Sequence, residues 1–218
     1  MSETILYGNP GWGSAIVEAQ LDVYGLPYRY EAVGDLFDSA AARERLLPLN
    51  PVAQVPTLVL GNDHGGRVMT ESAAITLHLA DLGGRDDLVP GAQAPERAAF
   101  LRWLVFLVAN VYPTFTYADD PSRFVKAAEA QPGFRDEVNA YAKRLWQAVE
   151  VEAAAAGGPW FLGARFSALD VFLAVMTRWR PGRDWFAANT PRLHQTAEAA
   201  RALPALAPMM ARNFPPKD

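Results

Sequence analysis

"QVPTLVLGNDHGGRVMTESAAITLHLADL", Gln54 to Leu82, sets a strand, a turn, a second strand and a helix in direct succession. Val55 to Leu60 is short, apolar and β-branched, and the glycines and asparagine of "GNDHGGRVMTES" supply a hairpin turn into a second apolar segment. The two segments are expected to pair antiparallel. Ser72 then opens a helix of about three turns that stops at Gly83 and Gly84. The Val55-Pro56 bond stands at the strand entrance, where a trans proline loses a ladder position, so a cis bond in a turn is expected. That geometry turns the N–H and C=O of Val55 outward, where an extended peptide can pair with them as an added strand. The plainer alternative is a loop proline.

Working back from Gln54, "TILYG" (Thr4 to Gly8) and "YRYEAV" (Tyr28 to Val33) read as strands, with a helix from Ser14 between them and a short helix ahead of "PLNP". Strand, helix, strand, helix, strand, strand, helix over residues 1–82 describes one α/β layer structure with a mixed sheet. Working forward, residues 83–93 are polar and aperiodic and read as a linker, and residues 94–218 read as an all-helical bundle. In that bundle the apolar run Ala98 to Ala118 is interrupted by Arg102, Asn110 and Pro113, which argues for a buried helix ending or kinking near Pro113 and against membrane insertion. "FSALD" puts Ser167 three residues before Asp170 at the head of an apolar helix, a capping box with Asp in place of Glu.

A formal net charge of −4 argues against nucleic acid or an acidic membrane face as a partner. The absence of cysteine excludes a thiol nucleophile or thiolate metal site of the protein's own, so sulfur chemistry must arrive with a ligand. His64, His78 and His194 are scattered over separate elements, and no metal site is expected. The N-terminal "MSETILYG" lacks a secretory signal pattern, which places the chain in the cytoplasm. Glu71 and Ser72 admit two readings. They form a helix start favoured by the dipole, or, with the same geometry, a cradle in which Ser72 and a backbone N–H hold an α-carboxylate while Glu71 takes the α-ammonium beside it.

With "QVPTL", "TESAAI" and "FSALD" in this order around a linker, the chain resembles the glutathione S-transferases, and the resemblance runs nearly end to end. It implies a thioredoxin-like first domain with a mixed four-stranded sheet, an all-α second domain, and a homodimer. Glutathione would be a co-substrate, with Glu71 and Ser72 on its γ-glutamyl end, Val55 ahead of Pro56 pairing with its cysteinyl unit, and Gln54 near its glycyl carboxylate. Arg43 and Asn50 are weaker candidates. Against the bacterial beta-like enzymes, "LYGNPGWGS" sets Gly13 where their cysteine lies. Ser14 resembles the serine that other classes direct at the glutathione sulfur, Asn9 is a second donor, and Tyr7 resembles by type the tyrosine of further classes. Ser14 can equally be a helix cap, and Tyr7 a core residue.

The implied activity is attack of glutathione thiolate on a small hydrophobic electrophile lying between the domains. Trp12, Phe106, Asn110, Tyr112, Phe115, Tyr117 and Trp179 are the candidates to line its pocket. Peroxide or disulfide reduction by the bound thiolate, and a non-catalytic glutathione-binding or scaffolding role, are the competing readings.

Overall fold

The computed structural model describes residues 3–215. The chain divides into two compact units, Met1–Val89 together with Ala200–Asp218, and Pro90–Ala199.

The first unit is built on four strands, β1 (Ile5–Gly8), β2 (Arg29–Ala32), β3 (Thr57–Val59) and β4 (Val68–Met69), in the order β2-β1-β3-β4. β1 runs parallel to β2, with Leu6 opposite Tyr30, and antiparallel to β3, with Leu6 opposite Leu58. β3 and β4 pair antiparallel across the glycine-rich turn, as the hairpin signal predicts. The helices are α1 (Ser14–Tyr24), α2 (Ala40–Leu46) and α3 (Ser72–Gly83). Leu6, Ile16, Leu21, Leu58, Ile75 and Leu79 are fully buried and join sheet to helices. One polar link crosses this core: the Gln20 amide donates to Thr76 Oγ1 (3.0 Å), and Thr76 donates to the Ser72 carbonyl (2.8 Å), so α1 and the start of α3 are held in register.

The second unit is all helix. α4 (Arg97–Phe106), a π-helical stretch (Leu107–Val111) and α5 (Tyr112–Asp119) form one continuous run. The helix expected to end or kink near Pro113 does not end there and runs on to Asp119. The Tyr112 N–H reaches back five residues to the Leu107 carbonyl, and this wide turn makes room at the point where proline removes a donor and crowds the preceding turn. By length and composition alone this run is apolar enough to cross a membrane, a property that core helices share. α6 (Gln131–Ala156), α7 (Ala168–Met176), α8 (Arg183–Asn189) and α9 (Pro191–Arg201) follow. All nine residues of α7 are buried, which makes it the central helix of the unit. The Ser167–Asp170 capping box is present as the sequence predicts.

Beyond α9 the chain turns through Pro204–Leu206 into α10 (Ala207–Asn213). Sequence reading grouped this piece with the helical domain 94–218; from Ala200 onward it belongs to the first unit, where Asn213 and Arg212 both bond to Glu18 of α1.

Candidate functional site

The turn between β1 and α1 carries the first group of candidates. The Asn9 carbonyl accepts from the Trp12 N–H (3.0 Å) and the Ser14 hydroxyl (3.2 Å), while the Asn9 N–H donates to Ser14 Oγ (3.2 Å). Ser14 is fully buried. The hydroxyl expected to meet a ligand's sulfur therefore points inward and is committed to the Asn9 main chain. The reason lies in Gly8: with no Cβ at the end of β1, the space is filled by Ser14, and a Cβ there would lie 2.4 Å from Ser14 Oγ and 2.8 Å from the Tyr30 hydroxyl. Gly8→Ala is accordingly expected to destabilise the fold by about 1–3 kcal/mol, read as a lowered thermal midpoint. A midpoint equal to that of the wild type would contradict this packing.

Asn9 itself is half-buried, and its side-chain amide makes no hydrogen bond to any described residue. Tyr7 and Trp12 pack with Val55 against the apolar cluster Val33, Leu36, Ala42 and Leu46, and the Trp12 ring lies 5.1 Å from that of Phe37. Tyr7, Trp12 and Val55 are thus brought into one patch beside the turn.

The loop ahead of β3 is braced from within. Asn50 is 3% exposed; its amide donates to the Gln54 carbonyl (2.9 Å) and Thr57 Oγ1 (3.1 Å), and its oxygen accepts from the Val52 N–H (3.1 Å). Asn50 is a brace here, as is Arg43, whose guanidinium donates to the carbonyls of Leu36 (2.7 Å) and Phe37 (2.8 Å). The braced loop presents Val55 with a cis bond to Pro56. Neither the N–H nor the C=O of Val55 takes part in a hydrogen bond with a described residue. The Gln54 side chain next to it is exposed. At the head of α3, Ser72 is 8% exposed, and the exposed Glu71 holds a left-handed backbone, φ 67° and ψ 103°.

In the second unit Tyr112, Phe115 and Trp179 form a three-ring cluster with centroids 5.0–6.2 Å apart. The other candidates lie outside it. Phe106 packs on Trp103 (5.0 Å), Tyr117 packs on Phe124 (4.9 Å), and Asn110 sits in the π-helical stretch with its amide 3.4 Å from the Phe106 carbonyl. Sequence reasoning missed Glu18, Arg212 and Asn213, the polar group joining α10 to α1. A glutamate inside the buried run "IVEAQL" is the one signal that pointed there.

A mixed four-stranded sheet in the order β2-β1-β3-β4 packed on helices defines a thioredoxin-like domain, here in one chain with an all-α bundle. The chain belongs to the glutathione S-transferase family. Residues 16–82 match the glutathione S-transferase N-terminal domain. Over 208 residues it is 40% identical to the uncharacterized GST-like protein YncG of Escherichia coli strain K12, covering 95% of this chain and 97% of that one. Among solved structures, a glutathione transferase from Methylococcus capsulatus strain Bath superposes with a TM-score of 0.76 at 29% identity, over 95% of this chain and 97% of the other. A sphingomonad glutathione S-transferase complexed with glutathione gives a TM-score of 0.72 at 27% identity, over 94% and 96%.

Proposed function

We propose that the protein is a glutathione transferase that presents the thiolate of bound glutathione to hydrophobic electrophiles. The observation that carries this reading is Val55: an N–H and a C=O without partners among the described residues, on a braced loop beside Pro56, are suited to the main chain of a cysteinyl unit. Glu71 and Ser72 at the head of α3 then hold the ammonium and carboxylate of the γ-glutamyl end, and the exposed Gln54 side chain reaches the glycyl end. A relative of known structure is described as complexed with glutathione, which accords with this assignment.

A free cysteine thiol, with a pKa near 8.5, is mostly protonated at neutral pH. Lowering it by one unit requires about 1.4 kcal/mol, within reach of one hydrogen bond to the anion aided by the positive end of a helix. With the Ser14 hydroxyl turned inward, the Asn9 amide takes the role of donor, and Ser14 fixes the main chain that carries it. The thiolate attacks the electrophilic carbon, a C–S bond forms, and the electron pair of the broken bond leaves with the departing halide. The working unit is a homodimer in the cytoplasm.

Calorimetry with reduced glutathione, followed by turnover of a chlorinated dinitrobenzene, tests the reading: uptake at millimolar glutathione or below and measurable turnover are expected. Asn9→Ala should lower kcat by about 10-fold or more with little change in glutathione affinity. No uptake at millimolar glutathione sinks the reading, and an undiminished kcat in Asn9→Ala sinks the donor assignment.

A further inference from the structure

We propose that Asn213, at the end of α10, is a positioning residue for the turn that activates glutathione; the kinetic half of this inference rests on the transferase reading above. Asn213 is 6% exposed, and both ends of its amide are engaged. Its oxygen accepts from the Gly11 N–H (3.0 Å), inside the turn that carries Asn9 and Trp12. Its nitrogen donates to Glu18 Oε2 (2.8 Å), one turn into α1, and to the Met209 carbonyl of its own helix (2.9 Å). One side chain therefore spans the junction of the turn and the helix, and sets the angle between them. An acceptor aimed one way and two hydrogens aimed the other are what a carboxamide offers and neither a carboxylate nor an alkyl group can.

The turn needs such a tie. Gly11 has φ +78°, and a Cβ on it would lie 3.3 Å from the Asn213 carbonyl oxygen, so α10 lies directly against this backbone. The second anchor is electrostatic: the Glu18 carboxylate has no exposed surface and is met by both the Arg212 guanidinium and the Asn213 amide. A buried carboxylate left without those partners is strongly unfavourable, which keeps α10 seated on α1. Asn9 lies two residues from Gly11 in the same turn, so loosening Gly11 displaces the donor proposed for the sulfur. A misplacement of about 1 Å at a reacting group lowers rates by up to about 100-fold.

The test removes the Gly11 bond without orphaning a buried charge. Glu18→Gln serves as the reference, because it discharges the site while leaving Asn213 on Gly11. Adding Asn213→Ala should accelerate amide hydrogen exchange of residues 11–14 by about 10-fold or more, with exchange in β3 and α3 unaltered. The same double variant should lose about 10-fold in kcat while its glutathione dissociation constant, set by Val55, Glu71 and Ser72, stays within about 3-fold. Adding Asn213→Asp to the reference instead keeps an acceptor for Gly11 but no donor for the Met209 carbonyl, so exchange and kcat should recover in part, to values between those of the reference and of the Asn213→Ala double variant. A purely structural residue would lower the melting temperature and leave kcat intact. Unchanged exchange at Gly11, or an unchanged kcat, overturns the assignment. Failure of the wild type to bind glutathione overturns the transferase reading instead, and exchange at Gly11 still decides whether Asn213 holds the turn.

Discussion

Asp170→Ala is expected to lower folding stability by about 3–5 kcal/mol, several times the roughly 1 kcal/mol typical of an exposed helix cap. The difference lies in burial. Asp170 is fully buried at the head of α7, and its two oxygens accept from the Phe161 N–H (2.8 Å), the Ser167 N–H (2.8 Å) and the Ser167 hydroxyl (3.2 Å). Alanine leaves those donors facing a dry interior, at about 1–3 kcal/mol each before relaxation. For a chain of this size the thermal midpoint should fall by about 8–15 °C. A fall of only a few degrees would show that the box is not what holds the helix start.

The same carboxyl carries a pH dependence whose sign is unusual for an aspartate. Burial pushes Asp170 up to about 6, against the pull of its hydrogen-bond donors. The folded pKa lies above the unfolded value near 3.9, so the folded state binds the extra proton. The stability this contributes is present below the unfolded pKa and lost as pH rises through about 6. Compared with Asp170→Asn, which does not titrate, the wild type should gain about 2–3 kcal/mol as pH falls from 7 to 4. Denaturant titrations of both proteins across that interval give the difference directly, and a flat difference refutes the assignment.

Much of the fold could be read from local chemistry. The β3–β4 hairpin follows from a glycine-rich turn between apolar segments, α3 from Ser72 and its terminal glycines, and the α7 cap from three-residue spacing. Each of these signals is contained within a few residues. The π-helical stretch was not legible, because Pro113 announces a break whether the chain ends there or widens by one residue per turn. α8 is only seven residues long, too short to show a period. The seat of α10 depends on a hydrogen bond between residues 202 apart, and no local pattern encodes it.

The candidate site divides along the same line. The pairing of Val55 with Pro56 and the head of α3 are backbone features announced by proline and by a cap. The direction of the Ser14 hydroxyl is a packing outcome: a serine at a helix start looks the same in sequence whether it faces a ligand or the space left by Gly8. Asn50 and Arg43 illustrate the converse. They resemble ligand-binding polar residues, yet the Asn50 amide and one guanidinium nitrogen of Arg43 hold the loops that present Val55 and Phe37.

Glu71 offers a way to separate binding from folding in one residue. Its φ of 67° places a side-chain-bearing residue in a region that glycine occupies without strain. Holding it there costs about 1–3 kcal/mol, and its exposed carboxylate makes only a 3.4 Å contact with the Thr70 hydroxyl in return. Glu71→Gly should therefore leave stability unchanged or raise it slightly, since relief of strain offsets the greater freedom of glycine in the unfolded chain. Under the proposed function the same change removes the partner of the γ-glutamyl ammonium. A charge-assisted bond of about 1.5–3 kcal/mol corresponds to a glutathione dissociation constant raised by about 10- to 100-fold. Glu71→Gln keeps the side chain and the strain but not the charge, so it should match the affinity loss without the gain in stability. Calorimetry and thermal melts on the two variants read both quantities. Glutathione affinity that survives in both would leave the strained carboxylate without a function in binding, and would return the head of α3 to the simpler role of starting a helix.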